Sequence, residues 1–263
     1  MKIGIIGGSG LYSIDGLDFI GELDVSSKFG RPSSNFKHFT KNGVDIYFLS
    51  RHGEKHNIAP HRINYRANID GFKSLGVSQI ISFNAVGGIN RDLKPGDIVV
   101  PDNGIDMTNG RASTFFDEDN IIHIDLTYPF CSEMRNKTIE LSKRLSFEIK
   151  KSGVYVCTNG PRLETAAEIK MYESLGADIV GMTLFPEVAL AREAEICYMC
   201  ISIVTNYAAG ISKTKLTTTE VIETVRKSED KLKSILSLYI DNLIDTSKCG
   251  CKKALANAGI TKK

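Results

Sequence analysis

The 263-residue sequence is poor in the features that assign a chain to a partner by composition alone. It has no excess of either charge. The 33 Lys and Arg against 31 Asp and Glu leave a formal net charge of +2, and only the tail CKKALANAGITKK gathers basic residues, so there is no footprint for nucleic acid. It has no apolar run near the roughly 20 residues that span a bilayer. The N-terminal MKIGIIGGSG passes into glycines where a secretory leader would lengthen its apolar stretch, so a cytoplasmic protein with no membrane partner is expected. There is no internal repeat and no Pro/Gly/Ser-rich linker, which leaves a single domain over 1–263 with a tail from about 246. The six cysteines lack the two close pairs of a zinc site: Cys249-Gly-Cys251 has no partner pair, and no metal is expected. Cys131, Cys157, Cys197 and Cys200 stand in apolar stretches, where inert buried thiols are ordinary and structural disulfides are the alternative.

Short β-rich runs alternate with helical patterns. KIGIIGG, VDIYFLS, QIISFNAVGG, DIVVPD, GVYVCTNG, ADIVGMT and ICYMCISIVT read as strands. Between the second and third, Ile63, Ala67, Phe72 and Leu75 fall near helical spacing, with Gly76 as a stop. LETAAEIKMYESLG and TTTEVIETVRKSEDKLKSILSLYIDNLI read as further helices, the first ending at Gly176. Near-continuous apolar strands alternating with helices predict one α/β domain, a sheet flanked by helices on both faces. Ligands of such sheets bind beyond the carboxyl ends of the strands. Six strand ends here carry small or hydrogen-bonding residues: Gly7 to Gly10 with Ser9, Ser50 to Gly53, Asn84 to Gly88, Asn159 to Arg162, Met182-Thr183, and Asn206. Together they outline one site.

GGSG after the first strand suits a phosphate cradle or a plain tight turn. It lacks both the third glycine of a dinucleotide fingerprint, since Ser13 stands there, and a Walker lysine. Arg51 and His52 follow a buried strand, where charge is costly unless partnered, and together they suit an oxyanion. His52, His56 and His61 as metal ligands would need a helix that Gly53 and Pro60 oppose. NGPRLET opens a helix with Pro161 early and Glu164 in the first turn, where a carboxylate also compensates the helix dipole. Pro186 starts another helix; Met182 before it suits core packing as well as ligand contact.

Read in order, IGIIGGSGL, RHGEKHNIAPHRINYRANI, NAVGGI, LKPGDIVVPD, NGPRLET, GADIVGMTLFPEVALAREAEICY and TNYAAG resemble the trimeric purine nucleoside phosphorylase family, in its methylthioadenosine phosphorylase branch. The resemblance runs from residue 3 to about 210, and RHG is characteristic of the branch. It implies a twisted mixed sheet and reversible phosphorolysis of a purine nucleoside to free base and a ribose 1-phosphate. Inorganic phosphate is then a co-substrate, no cofactor is needed, and the assembly is a homotrimer or hexamer. It implies phosphate binding by Ser9, Arg51, His52, Asn84, Ala85 and Thr183, ribose packing on Met182, and base binding by Asn206, Tyr207 and Ala208. Asn206, His52 and Thr183 would be the catalytic groups. No covalent intermediate is required, because oriented phosphate supplies proximity and charge stabilisation.

Two positions set the base. The adenine enzymes of the branch carry Asp where this chain has Asn206, and a second Asp at Ala208. An amide donates to a 6-keto oxygen and accepts from a protonated N7. Glu164 matches a Glu that accepts N1–H in 6-oxopurine enzymes, and adenine has no such proton. Thr218 stands where enzymes of 5′-hydroxyl nucleosides have a histidine, which with RHG favours a 5′-methylthio group. The expected substrate is S-methyl-5′-thioinosine, giving hypoxanthine and 5-methylthioribose 1-phosphate, with inosine and guanosine also accepted; the alternative is S-methyl-5′-thioadenosine. Leu163 and Asn159 depart from the common aromatic and Glu of the family. The tail CGC, and the match of Cys131 and Cys197 to positions that pair in heat-stable relatives, imply disulfides. A nicotinamide-dependent oxidoreductase built on GGSGLYS and a non-catalytic nucleoside sensor are the competing classes.

Overall fold

The run Ile3–Ile6 has apolar side chains on both faces, and the fold buries both. Ile3 and Ile5 pack with one core cluster and Ile6 with the other. The computed structural model describes residues 1–7, 16–117, 120–212 and 218–259, with the side chain of 218 not described. Within them β1 (Lys2–Gly7), β2 (Asp18–Leu23), β3 (Phe36–Lys41) and β4 (Val44–Ser50) precede α1 (Tyr65–Ser74) and β5 (Gln79–Gly88). β6 (Ile98–Val99), β7 (Asn103–Asp106), α2 (Ser132–Ser142), β8 (Ile149–Lys150), β9 (Val154–Cys157) and α3 (Ala166–Ser174) follow. β10 (Ile179–Gly181), α4 (Leu184–Glu193), β11 (Cys197–Tyr207) and α5 (Thr218–Ile240) complete the order.

The strands form one mixed sheet of eleven among the described residues, ordered β2-β3-β4-β1-β5-β10-β9-β7, with β11 also on β5 and β6 linking β11 to β8. β5 is the hinge of this arrangement. Its first half pairs with β1 in parallel as far as Ser82, its last residues Gly87 and Gly88 pair with β10 antiparallel, and β11 runs parallel along its other side. Between Ser82 and Gly87 the β1 side of β5 therefore has no strand neighbour. This fork is the structural origin of the site.

Local chemistry accounts for the helices. Asn64 caps α1 by accepting from the Ala67 N–H, and Gly76 and Gly176 beyond α1 and α3 take φ of 75° and 84°, as the expected stops should. Thr165 and Glu168 form a capping box that starts α3. This moves the helix start later than NGPRLET suggested. Pro161 and Glu164 precede the first turn, and the carboxylate within it is Glu168. In α4 the non-helical Phe185 (φ −103°, ψ 138°) makes helical geometry continuous only from Pro186, the expected start. The tail is docked rather than loose: Cys249 and Cys251 are buried, Lys252 donates to the Ser78 and Glu195 carbonyls, and Ile122 bridges to Gly259. No helix of the described residues is long and apolar enough to cross a membrane.

Candidate active site

Arg51 follows β4 directly and turns into the fork. It is 2% exposed, and its guanidinium meets Glu187 of α4 side-on, Nε to Oε2 at 2.8 Å and Nη2 to Oε1 at 2.9 Å. Nη2 also donates to the Ser82 hydroxyl, and Nη1 to the Phe83 carbonyl at 2.9 Å. Four of its five N–H groups thus have partners among the described residues, which leaves one on Nη1. Burial alone would lower the Arg51 pKa. The charge and hydrogen bonds of Glu187 outweigh it and hold the guanidinium above its ordinary value.

The network continues from Glu187 through Ser82, whose hydroxyl lies 2.9 Å from both Glu187 Oε1 and Asn84 Oδ1. Asn84 Nδ2 donates to Thr183 Oγ1 at 2.7 Å, and the Tyr198 hydroxyl donates to Glu187 at 2.7 Å. Arg51, Asn84 and Thr183, which lie on three separate elements, are thereby brought together. Asn84 is not at a strand end, as the sequence suggested, because β5 continues to Gly88. It lies where β1 has left β5. Successive residues of a strand present their N–H and C=O groups to opposite sides. Phe83 offers its carbonyl to Arg51 across the open side, so Ala85, two residues on, presents its N–H to the same gap. Ala85 is exposed within an otherwise buried strand.

His52 lies beside them, half-buried, with Nδ1 2.8 Å from the Ile58 carbonyl. That bond places the proton on Nδ1 and leaves Nε2 as an acceptor. Burial, with Arg51 and His56 nearby, lowers the His52 pKa to about 4 against the opposing pull of Ile58. The ring centroid lies 4.7 Å from that of exposed His56, with the two planes tilted by 32°. The metal-type side chains that group among the described residues are four cysteines remote from here, so His52, His56 and His61 form no triad. Ser9 lies outside the described residues, as does the side chain of Thr218.

Asn206 is 7% exposed near the end of β11, just past a register shift after Val204 where Thr205 bulges. The Thr205 hydroxyl donates to Asn206 Oδ1 at 2.7 Å, and Asn206 Nδ2 donates to the Tyr207 carbonyl at 2.9 Å. Gly87 lets this amide approach β5. A Cβ there would stand 3.2 Å from Val180 and 3.3 Å from Asn206 Nδ2. Ala208 is buried and donates its N–H to the Gly88 carbonyl, and Tyr207 is half-buried. Glu164 accepts from the Thr158 hydroxyl at 2.7 Å, and Thr158 bonds the Gly181 carbonyl through its N–H. Asn206 and Glu164 therefore flank β10 from its two sides, with Met182 just beyond its end. Met182 packs over Gly160, whose φ is 61° and where an added Cβ would meet Sδ at 2.5 Å. A cleft of about 220 Å³ lined by Thr158, Asn159, Glu164 and Tyr172 opens beside it.

Three contributors were not singled out from sequence: Glu187, Ser82 and Arg111. Arg111 donates to the Thr158, Asn159 and Phe185 carbonyls and to the Asn159 side chain, so it fixes the loop that carries Glu164. For Glu187 a signal existed, since a buried Arg51 demands a carboxylate and FPEVALARE offers one within an apolar helix.

A forked α/β sheet with anion-receiving donors at the fork, and an amide and a carboxylate beyond it, defines a small-molecule enzyme site of the strand-end type. The chain belongs to the phosphorylase superfamily, whose sequence profile matches residues 2–241. It is 47% identical over 259 residues to the "Probable S-methyl-5'-thioinosine phosphorylase" of Thermodesulfovibrio yellowstonii, covering 98% of this chain and 97% of that protein. It is 45% identical over 264 residues to the "Probable 6-oxopurine nucleoside phosphorylase" of Thermococcus kodakarensis, covering 98% of each. The methylthioadenosine phosphorylase of Schistosoma mansoni, solved with adenine, superposes with a TM-score of 0.92 at 32% identity over 98% of each chain.

Proposed function

We propose that this enzyme catalyses reversible phosphorolysis of 6-oxopurine nucleosides, with S-methyl-5′-thioinosine as the principal substrate and inosine and guanosine as further ones. The products are hypoxanthine and 5-methylthioribose 1-phosphate, and phosphate is the only co-substrate. The observation that carries this reading is the state of Asn206. Among the described residues its amide spends one lone pair on Thr205 and one N–H on Tyr207, which leaves one of each for a ligand. The remaining N–H suits a keto oxygen and the remaining lone pair a protonated N7. Glu164, across β10, supplies an acceptor for N1–H.

As the glycosidic bond breaks, positive charge develops on the ribose and negative charge on the purine. Phosphate enters the fork, met by the last N–H of Arg51, the Ala85 N–H, Asn84 and Thr183, with Ser9 from the first strand end. Glu187 neutralises Arg51, so the anion is held largely by oriented dipoles, which need no reorganisation as the reaction proceeds. His52 is neutral and offers Nε2 to a phosphate or sugar hydroxyl. Its proton affinity rises when the anion arrives. Asn206 stabilises the departing base by holding the N7 proton in place. Met182 packs under the sugar.

A homotrimer, or a hexamer built from two trimers, completes the site. The cleft beside Glu164 is smaller than the roughly 300–1,000 Å³ usual for ligand pockets, and Ile121 and Tyr128 are 59% and 75% exposed. The role is purine salvage in the cytoplasm. The reading is tested by incubating the enzyme with S-methyl-5′-thioinosine with and without phosphate and identifying both products. Hypoxanthine and a sugar 1-phosphate released only with phosphate support it; release without phosphate, or no release, overturns it.

A further inference from the structure

Four thiols meet where three distant parts of the chain come together. Cys131 stands at the N-terminus of α2, Cys197 opens β11, and Cys249 and Cys251 flank Gly250 in the tail. All four are buried free thiols, their sulfurs all lie within 4.8 Å of one another, and those of Cys131 and Cys249 are 3.6 Å apart. Around one zinc ion, four thiolates bonded at about 2.3 Å sit about 3.8 Å from each other at the corners of a tetrahedron. The Cys131–Cys249 separation matches that spacing, and the widest separation in the cluster exceeds it by no more than about 1 Å. Its donors are all sulfur, which selects a soft ion over calcium or magnesium, and four ligands leave no open position for chemistry. The first-turn N–H groups of the eleven-residue α2 face the Cys131 position.

We propose that Cys131, Cys197, Cys249 and Cys251 bind one zinc ion in a closed tetrathiolate site that fastens the C-terminal tail to α2 and to the start of β11. Binding displaces the thiol protons to solvent and leaves every oxidation state unchanged. Sequence spacing offered the tail pair no partner; the fold assembles one from two cysteines that lie far apart in the chain. β11 then runs from the metal at Cys197 to the base at Asn206, roughly 30 Å away at a strand's rise per residue. The ion would act on stability and leave the chemistry alone. The disulfides implied by the resemblance are the competing fate of the same sulfurs.

The test uses the full-length protein purified without chelator. Elemental analysis should give about one zinc per chain, and cobalt(II) added to the metal-stripped, reduced protein should give the intense thiolate charge-transfer absorption of a tetrahedral site. Cys249→Ser should abolish both, whereas Cys157→Ser, whose thiol is outside the cluster, should keep both. Stripping the metal should lower Tm while changing kcat less than about twofold. Where Cys249→Ser fails to fold, the cobalt titration of the unaltered chain decides. An unreduced chain about 4 Da lighter than its all-thiol mass would contradict the proposal, because the sulfurs are then two disulfides. Four titratable thiols that give no cobalt band would contradict it equally.

Discussion

Asn206 offers two donors and two acceptors, and the described residues take half of them. Thr205 fixes which way the amide faces, so its free lone pair and free N–H have assigned positions before a base arrives. Sites built to pair with a substrate's polar groups reject the mispaired analogue by up to about 10⁴–10⁵. Replacing Asn206 with Asp keeps the shape and removes the donor. The ratio of kcat/KM for the thioinosine over the thioadenosine substrate should fall at least about 100-fold, and an unchanged ratio would remove Asn206 from base selection. His52 yields a second prediction. Its pKa is near 4 in the folded chain and near 6.5 when unfolded, so between those values the unfolded chain binds the extra proton. Stability is full above pH 6.5 and falls as the pH is lowered towards 4. Denaturant melts across that window should show His52→Gln flattening the slope by about one proton. If the variant keeps the wild-type slope, His52 is not the group responsible.

At the scale of elements, two contacts hold the strand ends in register. The Arg51–Glu187 pair ties the end of β4 to α4 with both partners buried. Glu187→Ala leaves an uncompensated buried charge, so urea unfolding should show a loss of about 3–5 kcal/mol. A loss under 1 kcal/mol would mean water reaches the guanidinium. Gly160, at positive φ beneath Met182, has no room for a side chain. Gly160→Ala should displace Met182, destabilise by about 1 kcal/mol or more, and raise KM for nucleoside above any change in KM for phosphate. An equal rise in both would place Met182 elsewhere. Much of this architecture was legible. β1, β4, β5 and β11 are nearly continuous apolar runs because each is covered on both faces. β2 and β3 were not, since DFIGEL at the sheet's edge is mostly exposed and FKHFTK beside it buries only Phe36, so neither makes a continuous buried apolar run. α2 escaped for the same reason: SEMRNKTIELS buries only Met134, Thr138 and Leu141.

Across the whole molecule, the features missed in the sequence are pairings over long separations. Glu187 stands 136 residues from Arg51, and Cys131 stands 118 from Cys249, so no local spacing links them. The strand-end polar groups were readable singly, and the fork of β5 explains why they converge. It also explains why Asn84, in mid-strand, lies beside the gap and meets Thr183 across it. In the proposed function the same fork separates two tasks: phosphate is received where β1 leaves β5, and the base is read by the groups that flank β10 where it joins. The second set is proposed to read a keto purine. The most direct measurement is kcat/KM for S-methyl-5′-thioinosine and S-methyl-5′-thioadenosine, side by side at saturating phosphate. The thioinosine substrate should be preferred by about 100-fold or more; equal or faster turnover of the thioadenosine substrate would contradict a keto-reading site.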